Sequence, residues 1–194
     1  MTISVTLADA NILISRTLRD YFVYAASVGA LQIHWSDSIL DETTRNLIAK
    51  YDFPTEDAAV LVALLGQFLP DALIETTKRN LAAVEKVEMS PNDRHVLAAA
   101  LSAQADLLLT DNVRHFPKSW MAERGIELID SATLLTRIAR EQPDKLRAAH
   151  RLTVDRSPKA EEAILATLER AIGAEAAAVV RAVVVPEAQR DSAD

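Results

Sequence analysis

Two apolar runs in this chain stop in the same way, and that coincidence restricts the fold more than any bulk property. "SVTLADAN" from Ser4 runs into Asp9, and "DLLLTDN" from Asp106 runs into Asp111, with an asparagine one or two positions further on. Ile3 to Ala8 alternates β-branched and small residues and reads as a strand, as does "LLLT" from Leu107. "IELID" from Ile126 is another strand candidate and "DALIE" from Asp71 a weaker one. Helical stretches separate them. Ser36 precedes two further polar residues and then "ILDETTRNLIAKY", an N-cap with negative charge at a helix start. "SPND" at Ser90 supplies an N-cap serine, proline at the first position and an acid two residues on. Ala58 to Leu69 is apolar nearly all round, which predicts a core helix. Strands alternating with helices imply an α/β domain with a mostly parallel sheet, whose crevice lies at the carboxyl ends of the strands. Asp9 and Asp111 both fall on that edge.

Composition narrows the chemistry available there. The chain has 194 residues and no cysteine, so disulfides, thiolate nucleophiles and zinc–cysteine centres are excluded. Only 4 glycines occur and no glycine-rich loop, which argues against dinucleotide and P-loop sites. No stretch approaches the roughly 18 apolar residues of a membrane span, and no basic segment leads into a long apolar run at the N-terminus, so a cytoplasmic protein with no membrane partner is expected. The net charge of -7 speaks against a broad basic face for nucleic acid. It conceals a gradient, since residues 137–156 carry six basic and three acidic side chains. A solvated helix face is the ordinary meaning of such a block.

Four acids sit at element ends where an α/β fold can gather them: Asp9, Glu42, Asp93 and Asp111. Carboxylates brought close together repel, and their pKa values rise unless a cation neutralises them. Hard oxygen donors without cysteine suit Mg2+ or Mn2+, and such a site suits phosphodiester hydrolysis. Each acid also has an ordinary reading. Glu42 and Asp93 lie in first helical turns, where the helix dipole alone favours acids.

These stretches resemble a known family. "LADANILIS" is similar to the opening motif of PIN domains, "ILDETTRNL" to their glutamate helix, and "SPNDRHVLAAALSAQADLLLTDNVRHFP" to the aspartate helix, the following strand and its Thr-x-Asp/Asn segment. The likeness runs in order from Val5 to Ile129 and is greatest to VapC-type toxin ribonucleases with a helical C-terminal extension. It implies a PIN-like three-layer domain with a central parallel sheet, and a metal-dependent endoribonuclease acting as the toxin of a type II toxin–antitoxin pair. By the resemblance Asp9, Glu42 and Asp93 are the catalytic, metal-binding acids, with Asn11 and Thr110 in support. The fourth position departs from the pattern: Asn112 stands where most of the family has an acid, and Asp111 fills the variable position, so both belong to the candidate set. The implied cofactor is Mg2+ or Mn2+. The implied partners are RNA and a cognate antitoxin protein, and a homodimer is compatible with both.

Other residues are candidates by position. Arg94, Arg114 and Lys118 flank the acids and can counter substrate charge, while Arg147 and Arg151 lie in the basic block. The four histidines, His34, His95, His115 and His150, show no metal-ligand spacing; His115, close to the proposed site, is a candidate phosphate contact, and packing or surface roles are expected for all four. Trp35 and Trp120 read as core. The pattern changes near Pro143, giving a nuclease domain over 1–142 and a helical extension over 143–194 with a frayed tail. Ile164, Leu168 and Ile172 form an apolar stripe there that must pack on the nuclease core, a partner chain or the antitoxin. Two other functions remain open. A haloacid-dehalogenase-type phosphatase also places an aspartate after its first strand, but wants Asp-x-Asp where this chain has Asp-x-Asn. A non-catalytic PIN-like binding module fits a degraded fourth acid.

Overall fold

In the computed structural model, which describes residues 4–185, the chain runs outward from its first strand and then crosses back. Strand β1 (Val5–Ala8) is followed by α1 (Ala10–Ile14), α2 (Arg16–Ser27), β2 (Gln32–Ser36), α3 (Asp37–Tyr51), α4 (Thr55–Phe68), β3 (Leu73–Ile74) and α5 (Lys78–Val84). Then come α6 (Arg94–Ser102), β4 (Leu107–Leu109), α7 (Lys118–Ala122), β5 (Glu127–Ile129) and four helices: α8 (Ser131–Glu141), α9 (Pro143–Asp155), α10 (Glu161–Ile172) and α11 (Ala174–Val184). The five strands are all parallel, in the order β3-β2-β1-β4-β5. The chain is therefore α/β and PIN-like, as its alternating pattern implies. Among the described residues no helix is long and apolar enough to cross a membrane.

By packing, residues up to Ser15 group with Leu31–Asp130, and Arg16–Ala30 group with the residues from Ser131 onward. The first unit is the sheet. Leu7, Ala8, Leu108 and Leu109 are fully buried, as expected of strands covered on both faces. The register sets Leu7 beside His34 on one side and Leu108 on the other. Where β1 and β4 end, the ladder continues by one amide each: Asp9 N–H donates to the Leu109 carbonyl and Thr110 N–H to the Ile129 carbonyl, both at 3.0 Å. Asp9 and Thr110 therefore leave the sheet side by side. They do so between β1 and β4, where the winding direction reverses, the position at which α/β sheets open a crevice.

Two expectations need correction in this unit, and one strand is added. The strand β2 was not apparent in "QIHWS", because polar His34 interrupts its apolar alternation; His34 is nevertheless buried, with Nδ1 3.3 Å from the Ala72 carbonyl. The helix α4 is not core: it buries Ala58 and Leu65, while Val60 and Leu64 are each 55% exposed. Apolar residues on every face conceal which stripe a helix buries. "SPND" caps a 3-10 turn (Pro91–Asp93) before α6 rather than the helix itself. Ser90 and Ser36 do act as caps, their hydroxyls accepting from Asn92 N–H at 3.3 Å and Ile39 N–H at 3.4 Å. The first strand is described from Val5, and Ile3 lies outside the described residues.

Thr6 in β1 is fully buried and its hydroxyl has no hydrogen-bond partner among the described residues. Valine has nearly the same shape without that polar atom. Thr6→Val is expected to stabilise the protein by about 1 kcal/mol, read as a higher denaturant midpoint at unchanged slope.

The second unit is helical. α2 packs on α9, α11 on α8, and α10 on α11, α2 and α8. The stripe of Ile164, Leu168 and Ile172 is buried, on a helix that packs on α11, α2 and α8 of this unit. A buried polar chain crosses the unit: Tyr21 O–H donates to His150 Nδ1 at 2.6 Å, and His150 Nε2–H donates to Glu161 at 2.9 Å. The carbonyls of the turn after α2 are met from α9, Lys145 donating to Gly29 at 2.6 Å and Gln142, the residue before that helix, to Ala30 at 2.8 Å. The composition change at 143 falls inside this unit, and the tail from 186 lies outside the described residues.

Candidate active site

The site is built around Asp9, only 5% exposed at the end of the central strand. Its Oδ1 accepts from Ala10 N–H at 2.7 Å. Its Oδ2 accepts from Asn11 Nδ2 at 2.5 Å and Thr110 Oγ1 at 2.7 Å. The amide of Asn11 is engaged at both ends, since Nδ2 also donates to Thr110 Oγ1 at 2.8 Å and Oδ1 accepts from Asp111 N–H at 3.0 Å. Thr110 Oγ1 accepts in addition from Asn112 N–H at 3.1 Å. Every donor to Asp9 is neutral. Burial consequently pushes its carboxyl up to about 6 despite the Thr110 and Ala10 bonds, and the negative charge of Glu42 adds to the rise.

Glu42 reaches the site from α3, where its helix face meets His95 of α6. His95 Nδ1–H donates to the Asn92 carbonyl at 2.7 Å, so its proton on that side is fixed. Nε2 lies 3.2 Å from Glu42 Oε2, but no hydrogen bond of normal geometry joins them; the pair is an ion contact. Burial works against a charge on His95. Glu42, the Asn92 carbonyl and Asp9 outweigh it and hold the imidazole above its usual range. His95, then Arg45 and Lys50, keep Glu42 below the ordinary carboxylate range against the opposing effect of burial.

Asp93 sits in the turn before α6 and meets His115 Nδ1 at 3.3 Å. This pair is more open, with side chains 23% and 58% exposed. Asp111 and Asn112 are both exposed, and what their segment presents to Asp9 is the Thr110 hydroxyl. Arg94 Nη2 donates to the Val87 carbonyl at 3.2 Å and so ties the preceding loop to α6. Arg114 and Lys118 are exposed. Arg147, paired with Asp144, and Arg151 belong to the second unit. Trp35 is core, whereas Trp120 is half-buried with the Arg124 guanidinium 3.7 Å above its ring. The histidine contacts to Glu42 and Asp93 are the residues sequence reasoning passed over. Glu42 and His95 stand on different helices, and no local spacing links them.

Among the described residues no group of three or more acids and histidines is arranged to hold a metal ion. Asp9 and Glu42 nevertheless feel one another's charge. Mg2+ takes one or two carboxylates and fills its remaining positions with water and phosphate oxygen, so this pair fits such an ion in donor type. The raised pKa of Asp9 is what a buried carboxylate shows when no cation offsets its desolvation.

Residues 5–114 match the family model described as PIN domain, a span running from β1 to the turn after β4 and enclosing Asp9, Asn11, Glu42, Asp93, His95 and Thr110. No curated protein and no solved structure matches the chain. Because the matched span exceeds half of the 194 residues and takes in four of the five strands, β1 with Asp9 among them, the chain belongs to the PIN domain family and has its nuclease-type fold.

Proposed function

We propose that this protein is a metal-dependent endoribonuclease that hydrolyses RNA phosphodiester bonds with Mg2+ or Mn2+, and that it is the toxin of a type II toxin–antitoxin pair in the cytoplasm. The observation that carries the reading is Asp9, a carboxylate buried at the switch point and held by three neutral donors with Glu42 beside it. A divalent ion bound there lowers the pKa of water and offsets charge on the phosphate. The chain's own contribution is orientation. Asn11 and Thr110 fix the Asp9 carboxylate, and His95 holds Glu42 ionised and in place. Asp93 with His115 forms a second acidic station, and Arg114 offers positive charge next to it. The toxin role is supported by the likeness of "LADANILIS" and "ILDETTRNL" to VapC-type sequences and implies an antitoxin partner.

Incubated with structured RNA, the protein is expected to cut it in Mn2+ or Mg2+ and to stop in excess chelator. No cleavage in either ion would overturn the nuclease reading and favour the non-catalytic binding module, which the lack of a three-acid group among the described residues also suits. Growth arrest on expression, relieved by a co-expressed neighbouring small protein, tests the toxin role separately.

A further inference from the structure

The polar face of α3 opens onto a cavity. Asp41, Glu42, Arg45 and Asn46 recur at helical spacing, opposite the buried Ile39, Thr43 and Leu47. With Asn92 and His95 they line a space of about 820 Å³. Glu42 and His95 are part of its wall, so the cavity adjoins the acid site. Its remaining groups are of two kinds. Asp41 offers a carboxylate, and Arg45, one turn on, offers a guanidinium. Arg45 Nε donates to the Asp41 backbone carbonyl at 3.3 Å, which anchors the base of the fork, and among the described residues its terminal nitrogens make no hydrogen bond or ion pair.

A carboxylate and a guanidinium lining one cavity ask for a ligand with donors on one edge and acceptors on the next. A phosphate group satisfies the arginine and repels the aspartate. Among nucleobases guanine uses both fully. Its N1–H and exocyclic amine present two donors to a carboxylate, while O6 and N7 present two acceptors to a guanidinium. Adenine and cytosine bring a single exocyclic amine and uracil a single ring N–H, so each leaves part of the pair unmet. The space is within the range of small-ligand sites, about 300–1,000 Å³, and admits an unstacked purine.

We propose that this cavity is a guanine subsite beside the acid site, with Asp41 accepting from N1–H and the amine, and Arg45 donating to O6 and N7. The proposal rests on the ribonuclease reading. It fixes which nucleotide flanks the bond that is cut.

The test is fluorescence anisotropy of the full chain carrying Asp9→Asn, with labelled single-stranded heptamers of uridine that hold G, A, C or U at the centre. The G heptamer is expected to bind about tenfold tighter than the other three, the discrimination of one good bidentate contact. Asp41→Asn and Arg45→Ala should each remove that advantage while the U heptamer binds as before, which also shows that the variants fold. Arg45→Lys, which keeps the charge without the fork, should lose the preference too. Equal affinity for all four heptamers, or a G preference that survives Arg45→Ala, overturns the subsite. So does an Arg45→Ala loss that is uniform across heptamers, since that marks a phosphate contact. Cleavage by the wild-type chain is read separately. A G preference without cleavage sinks the nuclease reading alone, cleavage without preference sinks the subsite alone, and no binding with no cleavage overturns both.

Discussion

Asp9→Asn should lose well over a hundredfold in RNA hydrolysis, more than the ~10–100-fold that supporting residues around a metal contribute, and yet be no less stable than the wild type without metal. The stability half follows from burial. Asp9 titrates at about 6 against an ordinary 3.8, a difference worth on the order of 3 kcal/mol against the folded state at neutral pH. Asparagine removes that charge. It also brings an NH2 group that must face either Ala10 N–H or the Asn11 and Thr110 donors, which costs about 1 kcal/mol of lost hydrogen bonding. A net gain of about 1–2 kcal/mol remains, measurable as a raised Tm in chelator. Wild-type activity in Asp9→Asn would exclude Asp9 from the chemistry; a large loss of Tm would mean that its charge is needed for folding.

The same shift fixes a pH dependence. Because the folded pKa is raised, the stability it confers is present below the unfolded value of 3.8 and is lost as pH rises through about 6. Metal-free protein should thus weaken over roughly pH 4–6 on account of this group, and Asp9→Asn should flatten that slope. Metal must displace the proton, so stabilisation by Mn2+ should be greater at pH 7.5 than at pH 5.

Thr110→Val is expected to reduce Mn2+ affinity by about 10–100-fold, although Thr110 itself is a positioning residue. Its hydroxyl is the one group that donates to Asp9 and accepts from both Asn11 and the Asn112 amide. Valine fills the same volume but leaves a buried carboxylate short of a donor and two N–H groups short of an acceptor. Since the Thr110 bond lowers the Asp9 pKa, its loss should raise that pKa further and move the acid limb of the activity profile to higher pH. Thr110→Ser should restore both the affinity and the profile. A serine variant as impaired as valine would indicate that the methyl group, and so packing, is what matters.

The sheet was legible because strands buried on both faces leave continuous apolar runs, as in "VTLA" and "LLL". β2 was not, because His34 finds its partner on a carbonyl 38 residues away, which no local pattern shows. Asp9 stood out as an acid directly after an apolar run. The partnership of Glu42 with His95 did not, since it joins two helices that only the tertiary fold brings face to face. The same holds for α4: its apolar composition is visible in "AAVLVALL", but the face left uncovered is decided by what packs against it.

The interleaving of the two units has a consequence for how the chain is made. α2 is finished at Ser27, but the helices it packs on, α9 and α10, begin at Pro143 and Glu161. At ribosomal rates of about 5–20 residues per second, the roughly 115 residues before α9 take on the order of 6–23 s. During that interval α2, with Leu18, Tyr21 and Phe22, lacks the α9 and α10 faces it packs on, whereas all five strands have been synthesised by Ile129. A chain ending near residue 130 would carry Asp9, Glu42, Asp93 and Thr110 together with an unpartnered helix spliced into its early sequence, a natural handle for a chaperone and a point of attack for a protease.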